Sequence, residues 1–202
     1  MRIYLVALLL SAGLLVAPAA QAQKQYQPGY LVLQRGDTLR GLLETPTIGT
    51  VARGVKLKKN SAAEPVFYPV KIVKALHLAS GRTYLERTMQ PVAFGDTLHL
   101  LLEPLVRGRA TLYRSLYNVF ANNADVLALS TFYTMYYYIE RHTEHVEFDR
   151  PPYLLQSSTF RSDLRSLFSD CPHAPAVTGK FVEANLISLT QQYNACTGRL
   201  VR

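Results

Sequence analysis

Two histidines three residues apart, His142 and His145, stand among Glu140, Glu144 and Glu147, side chains that in principle could contribute to a metal site. Zinc hydrolases that use such pairs hold them in a helical His-Glu-x-x-His frame, with both imidazoles on one face. That frame is missing, and Glu140-Arg-His-Thr-Glu-His145 reads most simply as a polar turn between two strands. His77, His99 and His173 stand alone and read as surface or sheet residues. Ser130, Ser157 and Ser188 have no nucleophile-elbow setting. Gly-Asp-Thr occurs at 36–38 and 95–97, but a phosphate cradle needs a longer glycine-rich run and a lysine. Asp and Glu residues become acid–base pairs only through their spatial separation. The sequence therefore assigns no catalytic, cofactor-binding or metal-binding residue.

Cys171 and Cys196 are the only cysteines. In an oxidising compartment a lone pair is expected to form a disulfide; in a reducing one they would be two separate thiols. A structural zinc site would need about four ligands, and there is no Cys-x-x-Cys or Cys-x-x-His spacing to begin one.

The elements that must position these residues change character once along the chain. From Tyr30 to about Phe148 the sequence reads as short strands rich in Val, Leu, Thr and Tyr, separated by Gly, Pro, Asn and Asp. The clearest hairpin pairs Tyr30–Gln34 with Thr38–Leu43 across Arg35-Gly36-Asp37, where glycine can take the positive φ of a tight turn. Phe94-Gly-Asp-Thr-Leu-His-Leu100 is a fainter echo of it. Further strands are expected at Val66–Tyr68, Ile72–Leu78, Thr83–Arg87, Asp96–Glu103, Ala110–Arg114, Tyr133–Glu140 and His145–Phe148, with a loop around Asn118–Asp125. Such a set suits an antiparallel sheet curled into a sandwich or partial barrel.

Tyr133, Tyr136, Tyr137 and Tyr138 crowd one of these strands, which shows no clean alternation and is expected to be covered on both faces. Core packing is the favoured role for them; an aromatic contact surface is the other. After Pro151-Pro152 the pattern becomes helical. Phe160, Leu164, Leu167 and Phe168 form one stripe, with cap candidates at Ser157–Thr159. A second helix over about Lys180–Asn194 aligns Val182, Leu186, Leu189 and Tyr193, with Thr178 as a plausible cap. The expected class is α+β: a β-rich region over 23–150, then a disulfide-linked helical pair over 151–202 packed on it.

The chain opens with Met1-Arg2, an apolar run from Ile3 to Val16, and small residues at Ala20 and Ala22, the three parts of a secretory signal peptide. Cleavage after Ala22 would leave Gln23 as the mature N-terminus; the alternative is a retained anchor, since Ile3–Ala20 sits at the lower edge of spanning length. Removing the leader subtracts only Arg2 from 22 Lys and Arg against 14 Asp and Glu, so the formal charge falls from +8 to +7. That excess favours acidic partners. The basic residues are scattered, with Val55-Lys-Leu-Lys-Lys-Asn60 the only short cluster, and neither a concentrated footprint nor a nucleic-acid motif is present.

The combination of Pro28-Gly-Tyr-Leu-Val-Leu-Gln-Arg-Gly-Asp-Thr-Leu-Arg-Gly-Leu-Leu43, Asp170-Cys-Pro172 and Gln192-Tyr-Asn-Ala-Cys196 resembles uncharacterised exported proteins of the Bacteroidetes type. In many of them a comparable region follows a signal peptide and precedes an outer-membrane β-barrel. The likeness spans most of residues 27–198. This chain stops at Arg202, so the membrane role of the longer relatives is not expected to carry over, and the resemblance brings no catalytic residues. The expected function is a non-catalytic, exported module, periplasmic or at the cell surface, that binds an envelope protein or surface polymer. Membrane contact without spanning after cleavage is compatible with it, and no nucleic-acid partner is expected. The alternative is a small periplasmic hydrolase or ligand-binding protein with a pocket near the tyrosine-rich strand.

Overall fold

The computed structural model describes residues 26–89, 97–116, 135–142, 152–173 and 176–196. The expected leader at 1–22, the Gly95-Asp96 turn, the loop at 118–125 and the strand at 145–148 lie outside the described residues.

The hairpin forms as its glycine turn dictates. Strands β1 (Tyr26–Leu33) and β2 (Thr38–Glu44) pair antiparallel with Val32 opposite Thr38, and Gly36 takes φ +99°. Gly29 and Gly41 lie directly opposite each other in this pair. A Cβ on Gly29 would meet the His77 carbonyl oxygen at 2.3 Å, and one on Gly41 the Lys58 carbonyl oxygen at 2.2 Å. Both positions therefore require glycine for close backbone approach, which accounts for the spacing of the glycines in the hairpin motif.

The chain then makes a short helix α1 (Ile48–Arg53), started by Thr47, whose hydroxyl accepts from the Thr50 backbone N–H at 3.3 Å. Strands β3 (Gly54–Lys58) and β4 (Val66–Pro69) follow, then a 3₁₀ turn at Val70–Ile72 and strands β5 (Val73–Leu78), β6 (Thr83–Met89), β7 (Leu98–Val106), β8 (Ala110–Ser115) and β9 (Tyr136–Arg141). The expected switch to helix at the proline pair comes a few residues late. Tyr153–Leu155 first forms a strand, β10, on the edge beside β9. Helices α2 (Phe160–Leu167) and α3 (Glu183–Asn194) close the chain.

The described strands form one antiparallel sheet in the order β10-β9-β8-β7-β6-β5-β1-β2-β3-β4. Both α1 and the 3₁₀ turn pack against β7, so the sheet curls over them. Leu31, Leu43, Val55, Leu57, Leu76 and Leu101 fill that concave side with Val51 of α1. On the β8–β9 side, Leu112, Tyr137 and Ile139 meet Phe160, Leu164, Phe168, Leu186, Leu189 and Tyr193 of the helical end. Each large apolar side chain removed from water there stabilises the fold by about 1.5–3 kcal/mol.

The α2 stripe and its cap segment fall where the sequence puts them, but the α3 stripe begins only at Leu186, with Val182 outside the helix. Thr159 occupies the N-cap of α2 without a capping bond, its hydroxyl donating instead to Asp163 Oδ2 at 2.7 Å. The N-cap of α3 is Val182 rather than Thr178, and Val182 is exposed. Cys171 and Cys196 form a disulfide with their Cα atoms 6.1 Å apart, joining the C-terminal ends of the two helices. Among the described residues no helix is long and apolar enough to cross a membrane.

Candidate functional site

The carboxylates and histidines of interest in the sequence are dispersed by the fold. Glu140 is not in an exposed turn: it lies in β9 with 5% of its surface accessible. Its Oε2 accepts from Arg87 Nε at 2.9 Å and from the Tyr113 hydroxyl, which Arg87 Nε also reaches at 2.9 Å. Burial, then the hydrogen bond to Glu140, hold the Tyr113 phenol well above its ordinary value. His142 follows at the exposed end of β9, its Nε2 3.1 Å from the Thr111 hydroxyl and 3.8 Å from Glu140 Oε2. Glu144, His145 and Glu147 lie outside the described residues, as do Ser130 and Tyr133. Among the described residues no three His, Cys, Asp or Glu side chains gather to hold a metal ion.

His99 binds Glu86 at 2.8 Å, His173 and Ser157 are exposed, and Ser188 accepts from Gln192 at 3.0 Å. Tyr137 and Tyr138 are buried on opposite faces of the sheet, Tyr137 against the helical end and Tyr138 with Leu100, Leu102 and Tyr113. Tyr136 packs against the latter group. Tyr137 and Tyr138 are core residues, and Tyr136 is half-buried beside them.

Two further ion networks brace the fold. Glu103 in β7 is gripped by Arg82 at 3.0 and 2.7 Å and by Arg114 at 3.0 Å, and Arg114 continues to Glu183 at the start of α3. Burial alone would push the Glu103 carboxyl up, but the hydrogen bonds from Arg82 and Arg114 outweigh it and hold the group below the usual carboxylate range. The Tyr84 hydroxyl is buried without a hydrogen-bond partner among the described residues. Burial and the Glu103 charge push its pKa up to about 12.

In the second network, Asp170 receives Arg109 at 2.6 Å, Arg141 at 2.7 Å and the Tyr193 hydroxyl at 3.1 Å. Asn194 beside it bonds both the N–H and the C=O of Ala110, at 2.7 and 2.8 Å. The Asp170-Cys171 and Tyr193-Asn194 motifs thus dock the helical end onto the start of β8. Their role is architectural.

The chemistry left facing solvent lies on the convex side of the other half of the sheet. Alternation puts Tyr26 and Tyr30 of β1 opposite the buried Leu31, and pairing places Arg40 and His77 on either side of Tyr30. The Tyr30 and His77 rings stack with centroids 4.4 Å apart, and the Arg40 guanidinium lies 5.3 Å from the Tyr30 centroid. One row along, Lys58 of β3 lies 4.9 Å from the Tyr26 ring. Lys56 stands on the same face, opposite Phe67 of the edge strand β4, and Phe67 is 50% exposed. Burial and the charge of Arg107 lower the His77 imidazole, which therefore stands neutral in a positive field near neutral pH. The band can bind anions through preorganised cations, and the Tyr30 phenol brings a hydrogen-bonding group beside them.

Tyr30 and Arg40 read locally as hairpin residues and Lys56 and Lys58 as a charge cluster, so local pattern alone does not assemble this band. The signal was present in the hairpin register, which a turn centred on Gly36 sets, and in the alternation Val55-Lys56-Leu57-Lys58. No protein-family model, curated protein or solved structure matches this chain.

Proposed function

We propose that this protein is a non-catalytic, exported module of the cell envelope, periplasmic or at the cell surface, that binds through the convex band of Tyr26, Tyr30, Arg40, Lys56, Lys58 and His77. The observation that carries the reading is the solvent-facing stack of the exposed Arg40 on the half-buried Tyr30 and His77, with Lys58 over Tyr26 beside it. Cations held over aromatic rings keep their charge for a partner while losing little freedom on binding. The disulfide supports a non-reducing compartment, and the leader-like segment at 1–22 agrees with export. We also read the curl of the sheet over α1 as a partial barrel. The alternative of a pocket against the tyrosine-rich strand gains no support from Tyr137 and Tyr138, which are packed into core clusters.

Co-sedimentation with a washed envelope fraction tests the reading. Tyr30→Ala and the double variant Arg40→Gln/Lys58→Gln should keep the parent's circular dichroism and unfolding transition yet shift from the pellet to the supernatant. Undiminished sedimentation of both folded variants would refute it.

A further inference from the structure

We propose that the convex band binds a linear anionic polysaccharide, laid diagonally across β1, β2 and β3. The inference rests on the reading of this face as the contact surface and names the chemistry of its ligand.

Elsewhere the chain neutralises its inward arginines. Arg82 and Arg114 share Glu103, Arg87 meets Glu140, and Arg109 and Arg141 share Asp170. The band does the opposite. Among the described residues Arg40, Lys56 and Lys58 have no carboxylate partner. Arg40 and Lys58 rest on Tyr30 and Tyr26 instead, an arrangement that leaves their N–H donors open to an acceptor. Glu44, the acidic side chain in the same rows, is 9% exposed and already engaged. His77 is lowered by burial and by Arg107, as expected where positive charge is left uncancelled.

The placement of the cations selects the ligand. Residues two apart on a strand stand about 7 Å apart and neighbouring strands about 4.8 Å apart. Lys56 and Lys58 occupy successive rows of β3, and Arg40 lies one row further on the adjacent β2, since Leu42 is the residue opposite Lys58. Three cations on a diagonal line match a chain of spaced anions better than a single small ion.

A bilayer surface would need apolar side chains to enter the headgroup region beside the cations. Here both faces of the Tyr30 ring are occupied, by Arg40 and His77, and the exposed Phe67 sits only at one end of the line. A protein partner would bring a broad apolar interface centre, whereas the middle of the band offers only the exposed Pro28 and the half-buried Leu42 beside its cations.

The test uses the full oxidised chain and calorimetric titration with polygalacturonate oligomers, neutral dextran of similar length, and vesicles of phosphatidylglycerol and phosphatidylcholine. Polygalacturonate should bind, more weakly as salt rises, and dextran should not. The triple variant R40Q/K56Q/K58Q should lose about tenfold or more in affinity. The control K71Q/R165Q/K180Q removes the same charge from exposed positions off the band and should bind as the parent does. Equal losses in the two triples, equal binding of dextran, or vesicle binding stronger than polygalacturonate binding would overturn the proposal. If polygalacturonate fails to bind while envelope sedimentation still depends on Tyr30 and Arg40, the polysaccharide assignment falls and the contact surface stands. If sedimentation is also indifferent to those residues, both fall.

Discussion

Glu140 and Glu103 are acidic residues whose burial changes what their replacement does. With Glu140 removed, Arg87 and the Tyr113 hydroxyl lose their acceptor, and Glu140→Ala should cost about 3 kcal/mol of stability, at the low end for a buried pair because Arg87 keeps some solvent contact. Glu140→Gln keeps an acceptor oxygen and should cost less. Urea denaturation measures both. Glu103 adds a pH dependence. Its folded value is depressed, so the unfolded chain takes up the proton first as pH falls; the stabilisation is complete above the ordinary value of 4.5 and is lost below it. Glu103→Gln should thus be less stable than the parent at neutral pH, with the gap closing as pH falls below 4.5. A gap unchanged across that range would contradict the account. The band was half legible at this scale: the Gly36 turn fixes Tyr30 opposite Arg40, whereas His77 reaches Tyr30 through a β1–β5 pairing that no local pattern contains.

The helical end illustrates what an element requires beyond periodicity. Phe160, Leu164 and Phe168 announce α2 by their spacing, and the cysteine pair announces its closure, because both signals are local or compositional. Thr159 takes the expected cap position of α2 but gives its hydroxyl to Asp163, and Thr178 lies four residues before the N-cap of α3, which no local pattern reveals. β3 was hidden by reading Lys56, Lys58 and Lys59 as charge instead of alternation, and β10 by taking the proline pair as the end of the sheet. Replacing Cys171 and Cys196 with serine should destabilise the protein by about 3.5 kcal/mol on the chain-entropy estimate for a loop of this size. Hydrogen exchange should quicken first in α2 and α3 and leave the β1–β2 pairing protected. Uniform acceleration through β1 and β2 would show that the disulfide supports the whole sheet rather than its helical end.

At the scale of the molecule, the two halves of the sheet divide the work. The β7–β10 half is covered by α2 and α3 and by the Glu103 and Asp170 networks, so its ionisable groups are committed to holding the fold. The β1–β5 half buries one face around Leu31, Leu43 and Leu76 and leaves the other to solvent, with Arg40, Lys56 and Lys58 uncancelled among the described residues. Binding through that free face is the central claim, and lysine acetylation footprinting with a washed envelope fraction tests it most directly. The account predicts that Lys56 and Lys58 become protected while Lys71, Lys74 and Lys180 react as in the free protein; protection of Lys71 or Lys180 with Lys56 and Lys58 still reactive would contradict it.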